Sequence, residues 1–546
     1  TDFGQCVLPP STSNNKNFHI FFLHTHSISL KPVNKSRQFY FCEELNCGFC
    51  FPFIQNLPNS NDMRVFFIGI CGTAMGNAAI LLKKQGHEVA GSDLGVYPPM
   101  SDVLFNAGIE LFEGFDEQVM LDWNPDRVVV GNAVSRGNAQ VEFILRTRTI
   151  PFVSLPQLIG EDLIGNRPCL VVAGTHGKTT TTSLSAFALD QVGLCPGYLV
   201  GGVPLDLPSG NELGVESSPF VIEGDEYDSA FFDKRSKFIH YRPRILILNN
   251  LEFDHGDIFR DLEDISRSFS HLLRIVPSNG FIIQNGDDEN ILTLPTASWC
   301  STFSVGMGEQ NDLQIKDFLE DENSTQFDLF WQDRKISSIN WQMPGEYNAR
   351  NLAMSFLASV LTQSICQKKE IDLHDPFNGF KLPDYSLCKG VKRRQEILVD
   401  RSDLTVISDF AHHPTAIAGT LKSLRARWPG RKIIACFEPR SNTAVTNIFQ
   451  DRFADALSLA DEVLLGAVHR AEKIPIDQRI NTHAMIEQIK NSGKEGYSFT
   501  RNSELGDFLK SKNNEGQSVL IVFFSNGSFD GEIERFASFS NQSEDL

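Results

Sequence analysis

The sequence predicts an α/β protein of about three domains built on parallel sheets, and three observations carry that expectation. At 546 residues the chain is longer than one hydrophobic core usually supports, since single cores stop growing beyond about 250–300 residues. Apolar strand-like runs are repeatedly followed by a glycine-bearing loop and a helix, as after residues 64–69 and 170–173, and uninterrupted apolar strands suit parallel sheets covered on both faces. These runs also end in polar residues, at the strand ends where open α/β sheets bind ligands.

Composition narrows the class. Lys and Arg total 49 against 68 Asp and Glu, a formal charge of -19, which repels a nucleic-acid backbone and offers no polybasic membrane patch. The 11 cysteines are scattered, with Cys71, Cys169 and Cys436 in apolar strand-like or loop contexts, the pattern of reduced thiols in a reducing, cytoplasmic compartment. No apolar run reaches the length of a membrane span. Neither nucleic acid nor membrane is expected as a partner.

Residues 1–62 mix phenylalanine with Asn, Ser and His without a sustained period, and Met63 stands directly before the first clean strand. They are expected to be an amino-terminal extension outside the domains. Cys42, Cys47 and Cys50 lack a fourth partner at a recognisable spacing, so no zinc site is expected there.

The first domain begins at Met63. A strand over residues 64–69 enters a loop containing Gly69, Cys71, Gly72 and Thr73, then a helix over 77–85; a second strand, 88–91, ends in Ser92 and Asp93. This reads as a Rossmann-like half, whose loop approaches a diphosphate while an acid at the end of strand two meets a ribose. The spacing Gly69, Gly72, Gly76 departs from G-x-G-x-x-G, so a plain strand–loop–helix unit remains open and NAD does not follow. A third strand, 127–131, leads to a polar loop with Asn132 and Ser135.

The centre is organised around Gly174-Thr175-His176-Gly177-Lys178-Thr179-Thr180. A glycine-bearing turn from strand to helix aims backbone N–H groups and the positive helix end at phosphates; Lys178 reaches the outer phosphates and the Thr179 hydroxyl can serve Mg²⁺. The loop is one residue shorter than the eight-position pattern, Ala173 standing at its first glycine. Glycines here often only close a turn, but Lys-Thr-Thr at the helix start argues for phosphate. A strand over 220–222 delivers Glu223-Gly224-Asp225-Glu226-Tyr227-Asp228, and one over 244–250 delivers 251–255 ending in His255. Carboxylates at the same edge as Lys178 are how Mg²⁺ on a nucleotide is held.

The last third starts after an aperiodic stretch, 366–389, with a hinge expected near 385. Arg393 and Arg394 are expected to begin a strand running to 399, and the strand over 405–408 ends in Asp409. Strands over 432–437 and 519–524 end in Glu438-Pro439-Arg440-Ser441-Asn442 and in Ser525-Asn526-Gly527-Ser528.

Six motifs carry a family resemblance: G-T-H-G-K-T-T at 174–180, E-G-D-E-Y-D at 223–228, N-N-L-E-F-D-H at 249–255, G-E-Y-N-A-R-N at 345–351, G-V-K-R-R at 390–394 and D-F-A-H-H-P at 409–414. From residue 64 onward the chain resembles the Mur ligases, ATP-dependent amide-forming ligases of peptidoglycan precursors. The resemblance implies a Rossmann-like UDP-sugar domain at 63–161, a P-loop ATP domain with a central sheet at 162–384, and a Rossmann-like carboxyl-terminal domain at 385–546 that brings the amine. It implies Lys178, Glu223, His255, Arg394 and Asp409 as catalytic, and Gly174 to Thr180 with Asn348, Asn351 and Arg394 for ATP. It further implies Gly69, Cys71, Gly72, Thr73, Ser92, Asp93, Asn132 and Ser135 for the UDP-sugar, and Arg440, Ser441, Asn442, Ser525 and Asn526 for the amine. Thr179 and Glu223 are implied to hold Mg²⁺, with His255 on a second ion. Several members use a carbamoylated lysine on the following helix; that position falls near Phe269 here, a departure that resembles the branch of the L-alanine-adding ligases, where glutamate and histidine serve the second metal. Gly224 stands where the family pattern has alanine. Wording such as F-E-P-R-S-N-T at 437–443 resembles the branch whose amine is the tripeptide L-Ala-γ-D-Glu-meso-diaminopimelate. L-alanine as the amine, a nucleotide-binding module without ligase chemistry, and a P-loop phosphatase are the competing readings.

Overall fold

The computed structural model describes residues 62–512 and 518–542, with the backbone of residues 31–32 and 40–41. The chain divides into two units, Thr1–Asp62 and Met63–Leu546. In the first, Lys31–Pro32 pairs antiparallel with Tyr40–Phe41, and Cys42, Cys47 and Cys50 lie outside the described residues.

In the second unit three sheets follow one another along the chain. The first has five parallel strands in the spatial order Glu110–Glu113, Glu88–Asp93, Arg64–Ile68, Arg127–Val130, Phe152–Ser154. Val65, Phe66, Phe67 and Ile68 are all fully buried, so the central strand is covered on both faces, as its unbroken apolar run requires. The helix after it spans Thr73–Lys84, one turn earlier than the sequence suggests, which brings Thr73 to the helix mouth.

The middle sheet has ten strands. Its parallel core runs Gly197–Leu199, Phe220–Gly224, Cys169–Ala173, Ile245–Leu248, Phe281–Asn285, Ser301–Gly306, and Leu313–Glu320 joins two antiparallel strands at the far edge. Gly224, Ala173, Leu248 and Gln284 lie in one transverse row, so the polar residues that follow each strand emerge at one edge. The phosphate-loop helix Lys178–Gln191 and the long helix Glu346–Gln367 pack together, and a buried Ser185–Ser355 hydroxyl contact of 2.9 Å joins them. Both helices bury side chains around most of their circumference, the signature of an interior helix. At Gly224 an added Cβ would stand 2.8 Å from Val171 Cγ1 and 3.1 Å from Ala173 Cβ, so an alanine here needs the neighbouring strand to shift.

The third sheet has six strands in the order Glu396–Asp400, Leu404–Asp409, Val519–Phe524, Lys432–Phe437, Glu462–Leu465, Glu495–Ser498, only the first being antiparallel. Two expectations are corrected. Its first strand begins at Glu396, and Arg393 and Arg394 precede it in a turn where Arg393 and Gln395 adopt left-handed φ angles of 60° and 52°. The stretch around 385 also still belongs to the middle layer, since Tyr385 is buried beside Phe187 and Val391 bridges to Pro204. Among the described residues no helix is long and apolar enough to cross a membrane.

Candidate active site

The carboxyl edges of all three sheets open into one cavity of about 2950 Å³, several times the roughly 300–1,000 Å³ of a site for one small ligand. Its size suits more than one substrate at a time.

The phosphate loop forms its floor. Gly177 has a φ of 78°, and a Cβ there would meet Asn249 Nδ2 at 2.9 Å and Asn351 Oδ1 at 3.0 Å, so the loop closes only with glycine. Behind it Asn249 donates to Thr181 Oγ1 at 2.9 Å and to Asn351 Oδ1 at 3.3 Å, and Asn351 donates to Asn348 Oδ1 at 3.3 Å. Asn348 and Asn351 thus brace the loop from the long helix while also lining the cavity. Gly174 contributes its carbonyl, which accepts from Lys178 Nζ at 2.7 Å.

The charges are concentrated on one carboxylate that sequence reasoning did not single out. Glu226 accepts from Lys178 Nζ at 2.8 and 3.1 Å and from His255 Nε2 at 2.9 Å, and its side chain is 3% exposed. Burial opposes the charge of Lys178, but Glu226, Asp225 and Glu223 outweigh it and raise its pKa. Burial likewise opposes the His255 imidazolium, and the hydrogen bond and charge of Glu226 lift the pKa above the ordinary value. Four acids in six residues look alike on paper; only the sheet register shows which one reaches both cations.

Glu223 differs. Its carboxylate accepts from Gly201 N–H at 2.5 Å and from the Thr179 hydroxyl at 3.2 Å, and makes no ion pair among the described residues. Burial raises its pKa. A hydroxyl beside a carboxylate that makes no ion pair among the described residues is a donor set suited to a hard divalent ion, so Thr179 and Glu223 fit the Mg²⁺ expected of them. Asp225 is pulled the other way: burial opposes its charge, but Lys237 at 2.5 Å and then Lys178 hold its carboxyl down at about 2.

With this geometry in place the comparisons with known proteins decide the family. The profile of the "Mur ligase family, catalytic domain" matches residues 64–164, that of the "Mur ligase middle domain" 172–359, and that of the "Mur ligase, glutamate ligase domain" 393–522. The chain belongs to the Mur ligase family. It is 41% identical over 472 residues, 86% of this chain and 96% of the other, to the UDP-N-acetylmuramate–L-alanyl-γ-D-glutamyl-meso-2,6-diaminoheptandioate ligase of Escherichia coli K12. To the UDP-N-acetylmuramate–L-alanine ligase of Clostridium acetobutylicum it is 30% identical, over 86% of this chain and 96% of that one. The crystal structure of a murein peptide ligase from Psychrobacter arcticus superposes with a TM-score of 0.61 at 35% identity, covering 87% of this chain and 98% of that one.

In this Mur ligase the carboxyl-terminal domain reaches the phosphate loop directly. Arg394 Nη2 donates to Thr179 Oγ1 at 3.3 Å, its guanidinium lying 4.6 Å from the Phe410 ring centroid. Asp409 accepts from the N–H groups of Ala411 at 2.7 Å and Gln395 at 2.9 Å, so it lines the cavity while fixing the Arg394 turn to its own sheet.

The UDP-sugar and amine assignments need two corrections. Gly69, Cys71, Gly72, Thr73, Asp93, Asn132 and Ser135 line the cavity, and Asp93 Oδ2 accepts from Cys71 N–H at 2.9 Å. Ser92 does not: it is fully buried and donates to Gln140 Oε1 at 2.6 Å, tying its strand to a helix. Arg440, Ser441, Asn442 and Asn526 line the same cavity. Ser525 does not, because it is buried and donates to Glu438. Glu438 is the second carboxylate sequence reasoning passed over; it is 2% exposed, accepts from Asn502 at 3.0 Å, and meets Arg440 Nη1 at 3.3 Å. Phe269 is buried against Phe238, and the helix Leu262–Arg274 that carries it contains no lysine in any register.

Proposed function

We infer that this chain is an ATP-dependent amide ligase that joins UDP-N-acetylmuramate to the tripeptide L-Ala-γ-D-Glu-meso-diaminopimelate, as used in peptidoglycan recycling. The observation that carries the reading is the phosphate loop with Lys178 and Glu223 facing a multi-substrate cavity, in a chain 41% identical to a ligase of that name. The L-alanine-adding relative is less similar, at 30%.

Amide synthesis needs the carboxylate activated, and among the described residues no nucleophile–base pair points to a covalent enzyme intermediate. The lactyl carboxylate of the sugar attacks the γ-phosphate of ATP, releasing ADP and leaving an acyl phosphate; the tripeptide α-amine then displaces phosphate. Lys178, held cationic, and the loop N–H groups offset charge on the transferring phosphoryl group. Thr179 and Glu223 would hold Mg²⁺, with His255 on a second ion once its bond to Glu226 is released; such ions supply charge neutralisation and orientation of phosphate oxygens. Arg394 brings the carboxyl-terminal domain onto this site, which excludes water from a hydrolysable acyl phosphate. Arg440 grips a tripeptide carboxylate with its guanidinium, oriented by Glu438. We assign domains at 63–161 and from 162 onward, with the second boundary near 391–395 in place of the 384/385 expected from sequence, because Tyr385 and Val391 pack with the middle layer.

The test is product formation followed by mass spectrometry with UDP-N-acetylmuramate, ATP and either amine. Ligation of the tripeptide in strong preference to L-alanine is expected. Preference for L-alanine, or phosphate release that needs neither substrate, contradicts it.

A further inference from the structure

Three side chains to which the ligation chemistry gives no catalytic or Mg²⁺-binding role converge where the phosphate loop meets the carboxyl-terminal domain. His176 belongs to that loop, Glu252 follows the strand Ile245–Leu248, and His413 is the N-cap of the helix Pro414–Arg427. His176 Nε2 stands 3.7 Å from Glu252 Oε1, and His413 Nδ1 stands 3.9 Å from Glu252 Oε2. One ligand atom from each residue lies within 4.8 Å of the others, and the two imidazole centroids are 4.5 Å apart.

The protonation pattern is that of a ligand set. His176 Nε2 is buried with no hydrogen-bond partner, although buried polar atoms are ordinarily satisfied. His413 Nε2 faces the Phe253 carbonyl at 3.3 Å, which places its proton there and leaves the Nδ1 lone pair on the side of Glu252. That lone pair otherwise accepts only a long 3.3 Å contact from Thr415 N–H. Neutral imidazole is the form that binds metal. Glu252 Oε2 accepts from the Thr415 hydroxyl at 2.6 Å and from Arg452 Nη2 at 3.3 Å, as outer partners orient a ligating carboxylate.

Two neutral imidazoles and a carboxylate with an open fourth position are a donor set for Zn²⁺. Ligand atoms about 2.0–2.1 Å from a tetrahedral ion lie about 3.3–3.4 Å apart, so ligand atoms that stand within 4.8 Å of one another must draw together by side-chain rotation to hold it. Two nitrogen donors of three disfavour Mg²⁺, which takes oxygen.

We propose that His176, Glu252 and His413 form a transition-metal site, separate from the Thr179–Glu223 pair, at which a Zn²⁺-like ion clamps the carboxyl-terminal domain to the phosphate loop. The ion joins residues of both domains, so its occupancy restrains the opening that product release requires.

Titrating the full-length chain with Zn²⁺ alone by calorimetry, and with Co²⁺ by visible absorption, tests the site in the wild type, in Glu252→Gln and in His413→Asn. Asparagine is itself a good N-cap and glutamine preserves the shape of Glu252, so folding is retained, with melting curves as the check. The wild type is expected to bind one equivalent that each variant weakens more than about tenfold, since even outer partners of a metal ligand are worth about 10- to 100-fold. The Co²⁺ form should show ligand-field bands that both variants lose. Zn²⁺ affinity and stoichiometry unchanged in the two variants, or Co²⁺ bands of thiolate character only, overturn the proposal.

Discussion

Replacing Glu226 by glutamine removes the one charge shared by Lys178 and His255 while preserving side-chain shape. The exposures of the three side chains are 3%, 15% and 16%, so little solvent screens the loss. Breaking a buried ion pair from one side costs about 3–5 kcal/mol; glutamine still offers one oxygen to one donor, which reduces the expected loss to about 2–4 kcal/mol. For a unit of about 150–250 residues each kcal/mol moves the Tm by about 2–4 °C, so Glu226→Gln should melt roughly 5–15 °C lower in differential scanning calorimetry. The pH dependence has a definite sign. His255 has a pKa raised by Glu226, so its share of the stability is complete below its ordinary value of about 6.5 and lost as pH rises through the folded value. The gap between wild type and variant should therefore be widest near pH 6 and shrink in mild alkali to the part carried by Lys178. A gap under about 2 °C, or one that widens with pH, refutes the assignment of Glu226 as the common partner.

Arg440→Ala should raise the tripeptide KM about 10- to 100-fold, from loss of a charged hydrogen bond worth about 1.5–3 kcal/mol, with the ATP KM unchanged; an equal defect toward ATP removes Arg440 from the amine site. Lys237→Met takes away the cation that, against burial, holds the Asp225 carboxyl at about 2. A depressed carboxyl stabilises above its unfolded pKa and ceases to as pH falls through the folded one, so the urea-midpoint gap to wild type should be full at pH 7 and close between about pH 4 and 2; a constant gap contradicts this. A chain starting at Met63, one residue before the first matched family position, should keep full turnover and Tm, and a fall of several degrees would show that residues 1–62 stabilise the fold.

The phosphate loop was legible because its chemistry is local: a buried strand, two glycines and Lys-Thr-Thr specify a turn and a phosphate site without reference to the rest of the chain. The carboxyl edges were legible for the same reason, since each apolar run stops where polar residues begin. Residues whose role depends on pairing between distant segments were not. Glu226 is one acid of four until the row Gly224, Ala173, Leu248 fixes which carboxylate reaches Lys178 and His255. Ser92 and Ser525 end strands as ligand-binding serines do, but Gln140 and Glu438 claim their hydroxyls from elsewhere in the sequence. Arg393 and Arg394 looked like a strand start because apolar residues follow them, whereas the turn they occupy is set by Asp409 accepting from Gln395 N–H. His413 gave no sign of its neighbours, since its contact with His176 arises only when the domains meet.

The central claim, phosphoryl transfer from ATP to the sugar carboxylate at the Lys178 loop, is tested most directly by isotope transfer. UDP-N-acetylmuramate carrying ¹⁸O in its lactyl carboxylate is turned over with ATP and the tripeptide, and the released phosphate is examined by mass spectrometry. One ¹⁸O per phosphate is expected, because the carboxylate oxygen leaves with the phosphoryl group when the amine attacks; inorganic phosphate free of label, formed at the same rate as the amide, would contradict the account.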